Sequence, residues 1–158
     1  MPFLIFGIIK KKWTCIVIGL IPIILFLLVA SSVAYRILMA SSGCWVYKQA
    51  FGQPPTSNVE ILEKKYEFST DSETVHLKFK ADKKNLYALL DNRFKEVSLS
   101  EFENRVMGDH PDWFNPLDSS PDIFYQSLSY DKNFMVSEAL LSYNKKTSIA
   151  YFYSINID

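Results

Sequence analysis

The side chains best able to do chemistry in this 158-residue sequence are gathered in the run Asp109-His110-Pro111-Asp112. Two carboxylates beside an imidazole could hold a metal ion or act as a general acid and base. The same residue types also make turns, because Asp supplies local side-chain hydrogen bonds and Pro fixes φ. Since a zinc site needs three or four convergent ligands, we predict a turn here and assign no catalytic residue, metal or cofactor to the chain.

Other signatures of catalysis are missing from the sequence. It contains no Gly-rich phosphate loop, Gly-x-Ser-x-Gly, Cys-x-x-Cys or His-Glu-x-x-His. The second histidine, His76, alternates with Val75 and Leu77, so we expect it on the solvated polar face of a strand. These observations predict that the protein is not an enzyme.

Aromatic residues, at 15% of the chain, are more informative. Most of them should build the core of a small sheet. Trp113 and Phe114 instead stand in a loop framed by prolines and acids, and such side chains dominate protein–protein contacts. We therefore predict that Trp113, Phe114, Asp109 and Asp112 contact a partner protein.

A membrane-spanning helix is predicted over residues 13–35, which carry no charge. About 20 apolar residues are enough to cross the hydrocarbon of a bilayer. Three lysines, Lys10 to Lys12, precede the segment, whereas Arg36 alone follows it closely. The positive-inside rule therefore places residues 1–12 in the cytoplasm and the rest of the chain in the periplasm or another extracytoplasmic space. Trp13 and Tyr35 suit the two headgroup zones.

Two other interpretations of this segment stay open. Ser32-Val33-Ala34 has the small residues of a signal-peptide cleavage site, although the apolar core of a signal peptide usually has only about 7 to 15 residues. Cys44, after Ser42-Gly43, could be the lipid-bearing cysteine of a lipoprotein. Ser41 stands where that signal expects an aliphatic residue, so a retained anchor is our prediction.

Charge divides the chain into two unlike parts. Residues 1–44 carry four basic and no acidic side chains, and the zero net charge of the whole chain leaves the remainder mildly acidic. A surface of that sign does not suit a phosphate backbone, which argues against nucleic acid as a partner. It allows a cationic protein partner.

Beyond the span, residues 36–58 are predicted to be a juxtamembrane tether, because Pro54-Pro55 favours extended chain. Residues 59–158 are predicted to form the extracytoplasmic domain. Its segment 74–80 alternates strictly, as a half-buried strand does. A turn at Asp71-Ser72 would pair this strand with an irregular or bulged one that precedes it.

Two helices are predicted next in the chain. One apolar helical stripe across residues 82–94 is made by Leu86, Leu89, Leu90 and Phe94, and Asp82 is the predicted N-cap. Ser100-Glu101-Phe102-Glu103 fits a capping box, and Gly108 suits the end of that helix.

Strands resume near Ile123, and segments 134–143 and 148–157 flank a four-residue hairpin turn. Two strands, two helices and about three further strands predict an α+β fold. In it, a single N-terminal transmembrane helix precedes a small antiparallel-sheet domain with two helices on one face.

The run Pro111-Asp112-Trp113-Phe114-Asn115-Pro116, with residues 140–153 as a closing hairpin, resembles a pattern in small uncharacterised bacterial membrane-anchored envelope proteins. In those, a Pro-x-Trp-aromatic-x-Pro loop precedes a final aromatic-rich hairpin, and some resemble immunity proteins that neutralise toxins in the periplasm. The resemblance implies a location and a binding role, and it implies no catalytic residues.

We therefore predict a module that is anchored in the lipid bilayer and binds another protein by steric occlusion, either as an immunity protein that neutralises a toxin or as an envelope accessory protein. One alternative is a structural subunit of a larger membrane complex, with Cys15 and Gly19 facing another helix. A second alternative is a small metal-dependent hydrolase that uses His110 with Asp109 and Asp112.

Overall fold

The computed structural model describes the backbone over residues 2–90, 92–106, 108–118, 120–127 and 129–158, and side chains from residue 20 onward within these ranges. The chain divides into two units, Met1–Met39 and Ala40–Asp158.

The first unit is a helix, α1 (Pro2–Ala40). Within it, Leu20–Ala40 is apolar and unburied, so its 21 residues fit a membrane anchor or a signal sequence. At about 1.5 Å per residue they reach across roughly 30 Å of hydrocarbon. The predicted single N-terminal apolar helix is confirmed, while the side chains of residues 13–19, Trp13, Cys15 and Gly19 among them, lie outside the described residues.

Polar side chains in this apolar stretch bond back onto the helix itself. The hydroxyl of Ser31 donates to the Leu28 carbonyl at 2.9 Å, and that of Ser32 to the Val29 carbonyl at 2.8 Å. Polar groups satisfied within one segment are what a hydrocarbon surrounding requires.

The second unit is built on an antiparallel sheet whose described strands run in the spatial order β1-β2-β6-β5-β4-β3. The predicted α+β class is confirmed. The strands are β1 (Glu60–Phe68), β2 (Ser72–Lys80), β3 (Lys95–Val97), β4 (Ile123–Ser127), β5 (Val136–Asn144) and β6 (Ile149–Ile157), and the helices are α2 (Gly43–Phe51), α3 (Lys83–Leu89) and α4 (Leu99–Glu103).

Both predicted hairpins are present. The β1–β2 pair has its register shift between Ile61 and Glu63, which is the bulge expected in the first strand. In the β5–β6 turn, the side-chain oxygen of Asn144 accepts from the N–H groups of Lys146 and Thr147 at 2.8 and 2.9 Å. Strand β2 pairs with β6, so the two hairpins join into one sheet along these two strands.

One face of the sheet, called here the first face, carries the larger core. Alternate residues of β2 and β6 supply it, and α2 and α3 cover it. Its main buried side chains are Val46, Tyr47, Phe51, Val75, Leu77, Phe79, Leu86, Leu141, Tyr143 and Phe152.

Helix α2 corrects the predicted tether at residues 36–58, because part of that segment belongs to the folded unit. Ser42 caps its start, and Gly52 ends it in the left-handed region at φ 74°. Apolar residues at helical spacing, such as Val46 and Phe51, are buried against the sheet. The extended chain favoured by prolines begins only after this helix.

The opposite face, called here the second face, has a smaller core of Phe102, Phe124 and Leu140. Phe102 belongs to α4, so α4 packs on the second face. The prediction that both helices cover one face is therefore wrong for α4, because α3 packs on the first face. The predicted capping box was two residues late: Ser98, not Ser100, is the N-cap, and it exchanges hydrogen bonds with Glu101. The helix ends at Glu103, so Gly108 is not at its C-terminus as predicted.

Helix α3 is also shorter than its predicted stripe. Asp82 caps it as expected, accepting from the N–H of Asn85 at 2.7 Å, but the helix ends at Leu89. Phe94 still packs against the first-face core, and the chain then forms the short edge strand β3, which periodicity did not indicate.

The cap of α4 gives a testable prediction. Replacing Ser98 by Ala removes the acceptor for the Glu101 N–H and should lower the free energy of unfolding by about 1 kcal/mol. Ser100→Ala, two residues along, should cost less than about 0.5 kcal/mol. Denaturant unfolding of the full chain in detergent measures both, and equal losses would contradict the assigned cap.

Candidate functional site

The predicted site residues lie in a loop between α4 and β4, here called the site loop, residues 104–118, of which residue 107 lies outside the described residues. The loop covers the second face. The hydroxyl of Ser142 on β5 donates to the Pro116 carbonyl at 2.8 Å beneath it. Val106 and Leu117 of the loop pack against the second-face core.

His76 is buried, with 1% of its surface exposed, so the prediction of a solvated strand histidine is wrong. Alternation placed it correctly on the face opposite Val75 and Leu77. That face is not solvated here, because β2 lies between β1 and β6 and the site loop covers this part of the sheet.

The two histidines of the chain meet at this point. Nε2 of His76 lies 3.0 Å from Nδ1 of His110, and Nε2 of His110 lies 2.9 Å from the carbonyl oxygen of Val106. A carbonyl only accepts, so Nε2 of His110 carries a proton. If His110 carries only this one proton, its Nδ1 is the acceptor and Nε2 of His76 is the donor.

This assignment leaves Nδ1 of His76 as a bare nitrogen. It is buried and has no hydrogen-bond partner among the described residues. A second proton on His76 would have to bind there, at an atom that is buried from solvent and has no acceptor among the described residues.

Aromatic rings enclose the histidine pair. The rings of Phe114 and Tyr153 each lie 5.0 Å from that of His76 and 5.1 Å from that of His110, centroid to centroid. We call His76, His110, Phe114 and Tyr153 the histidine–aromatic cluster. It joins β2, β6 and the site loop.

The electrostatics of the cluster oppose positive charge. Burial lowers the pKa of His76 from 6.5 to about 4, with a smaller contribution in the same direction from His110. Burial also raises the pKa of Tyr153, helped by the negative charge of Glu138. Both groups are therefore held in their neutral forms.

The predicted partner residues divide into interior and surface. Phe114 is only 6% exposed and packs in the cluster, so the structure places it in the interior, and its direct contact with a partner stays a prediction. Trp113 is half-buried with its ring 5.8 Å from that of Phe114, and Asp109 and Asp112 are exposed. Their role as partner contacts stays a prediction.

The structure does not bring Asp109, His110 and Asp112 together as a set of ligands. His110 points to His76 and Val106 instead. Among the residues from 20 onward whose side chains are described, no group of three or more His, Cys, Asp and Glu converges as a metal site.

Comparisons with known proteins do not identify a relative. No protein-family model matches the chain, and neither curated proteins nor solved structures give a significant match.

Burial of neutral His76 predicts how stability depends on pH. Since the pKa is about 4 when folded and 6.5 ordinarily, the unfolded chain binds more protons between these values. The contribution of His76 to the free energy of unfolding should therefore fall as pH drops from 6.5 to 4, by about 3 kcal/mol, and change little below pH 4.

The matched control is His76→Gln, whose amide can still donate to His110 but does not titrate. The loss of stability between pH 6.5 and 4, measured by denaturant unfolding at each pH, should be smaller in the variant. Parallel pH profiles would show that His76 is not the responsible group.

Proposed function

We propose that this chain is a single-pass membrane protein whose second unit, residues 40–158, binds another protein outside the cytoplasm. The supporting observation is the arrangement of two neighbouring side chains in the site loop. Phe114 is locked into the histidine–aromatic cluster, while Trp113 beside it is left half-buried at the surface. A rigidly supported Trp is the kind of residue on which binding energy concentrates.

The surroundings of Trp113 suit a cationic partner. Exposed carboxylates of Asp109, Asp112 and Asp118 lie on the same loop. From Val106 to Asp131 the sequence contains no Lys or Arg. A surface of one sign speeds encounter with a partner of the opposite sign and rejects partners of the same sign.

Anchoring in a bilayer is the second part of the proposal. The unburied apolar stretch Leu20–Ala40 supports it, as do the internally bonded hydroxyls of Ser31 and Ser32. The lysines at 10–12 favour a cytoplasmic N-terminus. Cleavage after Ala34 would still leave the second unit whole, so the binding role does not depend on retention of the anchor.

Neutralisation of a toxin is the specific version of this function that we propose. It rests on the resemblance of the 111–116 run to immunity-type envelope proteins. A domain of this size would act by covering a functional surface of the toxin, and it needs no catalytic group of its own.

Membrane topology can be tested with a thiol already present. Cys44 is exposed in the first turn of α2. A small sulfonated maleimide that cannot cross the cytoplasmic membrane should label it in intact cells, and Cys44→Ser should remove the signal. Labelling that appears only after the membrane is permeabilised would place the domain in the cytoplasm and overturn the proposal.

The binding surface can be tested by crosslinking in cells. A photoreactive residue at exposed Asn115 should give an adduct of one discrete mass, and the same residue at exposed Lys132 should not. Trp113→Ala should reduce the adduct at least tenfold, since loss of an interface Trp commonly costs about 2 kcal/mol or more. The control Met135→Ala removes a side chain that is 88% exposed and should change nothing.

An adduct that survives Trp113→Ala would remove the site loop from the interface. Phe114→Ala serves a different purpose, because a buried Phe stabilises the fold by about 3–5 kcal/mol. That variant should unfold more easily, whereas Trp113→Ala should keep nearly the stability of the natural chain.

A further inference from the structure

We propose that the contact between His76 and His110 is an acid-operated latch, which holds the site loop on the second face at neutral pH and releases it when His76 binds a proton. The sheet and its first-face core stay folded in the released state. The inference concerns the loop alone and does not depend on the proposed partner.

The latch follows from the hydrogen-bond order in the cluster. Val106 accepts from His110, and when His110 carries only that one proton it accepts from His76, which leaves Nδ1 of His76 as the free proton-binding atom. That atom is buried without an acceptor among the described residues. A proton added there creates a buried cation and an unsatisfied donor together, and both are relieved only if water reaches the ring.

Each element packed against His76 contributes charged or titratable groups. On β1, Lys65 lies directly opposite His76 and Glu67 lies two residues further along. On β6, Tyr153 is the opposite residue, and from the loop His110 approaches. Glu67 alone favours the charged imidazole, and it is outweighed by burial, His110 and Lys65.

Water can reach His76 without the sheet coming apart. The described contacts between the site loop and the sheet are the histidine pair, the rings around Phe114, the Ser142–Pro116 hydrogen bond, the apolar contacts of Val106 and Leu117, and the Arg105–Glu138 ion pair. Among the described residues, none that forms the first-face core belongs to this loop. Lifting the loop therefore breaks contacts on the second face and leaves the first-face core in place.

Both ends of the loop have firm attachments that can act as hinges. Before it, Phe102 is 1% exposed in the second-face core. After it, the N–H of Asp122 donates to the Tyr143 carbonyl at 2.9 Å, and the Asp122 carboxylate accepts from the Lys145 N–H at 2.8 Å. The segment between these points can move while its ends stay in place, as a partial opening requires.

Two buried serines make a matched pair of probes, each 1% exposed. Ser142 lies beneath the loop on the second face, where its hydroxyl bonds Pro116. Ser154 is paired across the sheet with Val75 and Ala139, whose side chains belong to the first-face core, and so it lies on the first face. Ser142→Cys and Ser154→Cys would each be made in the full chain lacking Cys15 and Cys44.

The experiment measures thiol labelling by 4,4′-dithiodipyridine, which reacts in acid as well as at neutral pH. Rates in detergent between pH 7 and 4 are divided by the rate for the denatured chain at the same pH. Labelling of the Ser142→Cys variant should rise at least tenfold towards pH 4, while that of the Ser154→Cys variant stays low. Adding His76→Gln should remove the rise.

Three results would overturn the latch. The second-face thiol could stay protected at pH 4, both thiols could become reactive together, or the rise could persist in the His76→Gln background. Amide hydrogen exchange of the otherwise natural chain provides a second measurement that needs no buried substitution. Residues 108–118 should lose protection in acid and β6 should keep it, and equal behaviour of the two segments would contradict the proposal.

Discussion

A neutral imidazole buried near the centre of a sheet is the constraint on which the second face of this domain depends. His76 has strands on both sides and a loop above it, so its ring is cut off from water and needs a partner of suitable chemistry. His110 supplies that partner and is itself fixed by the Val106 carbonyl. These hydrogen bonds, with the Ser142–Pro116 hydrogen bond and the apolar contacts of Val106 and Leu117, hold the site loop on the sheet and so place Phe114 and Trp113.

The two faces of the sheet are stabilised in different ways. The first face has a continuous apolar core under α2 and α3, which contributes through buried area and needs no particular hydrogen bond. The second face has a small apolar core beside a polar, ring-lined cluster. Because the polar cluster depends on protonation and the apolar core does not, the two faces should respond differently to acid.

Neighbouring residues in the site loop serve opposite needs. Phe114 turns inward and ties the loop to the sheet, whereas Trp113 remains at the surface among exposed acids. An irregular loop presents a large side chain reproducibly only if something holds it, and the buried Phe does this. The function that we propose therefore rests on a rigid position for Trp113 more than on any one acidic residue.

The sequence by itself determined the elements whose signals are local. The uncharged stretch before Arg36, the alternation in β2 and the turn after Asn144 each predicted an element that the structure contains. The spacing of Val46, Tyr47, Ala50 and Phe51 also carries a helical signal, but the prolines that follow it favoured a tether.

Only the tertiary structure decided how His76 is used. Alternation fixes which face a strand residue occupies, whereas its burial depends on what covers that face. Here the cover is an irregular loop 34 residues away in sequence, and no local pattern reports a contact across that distance.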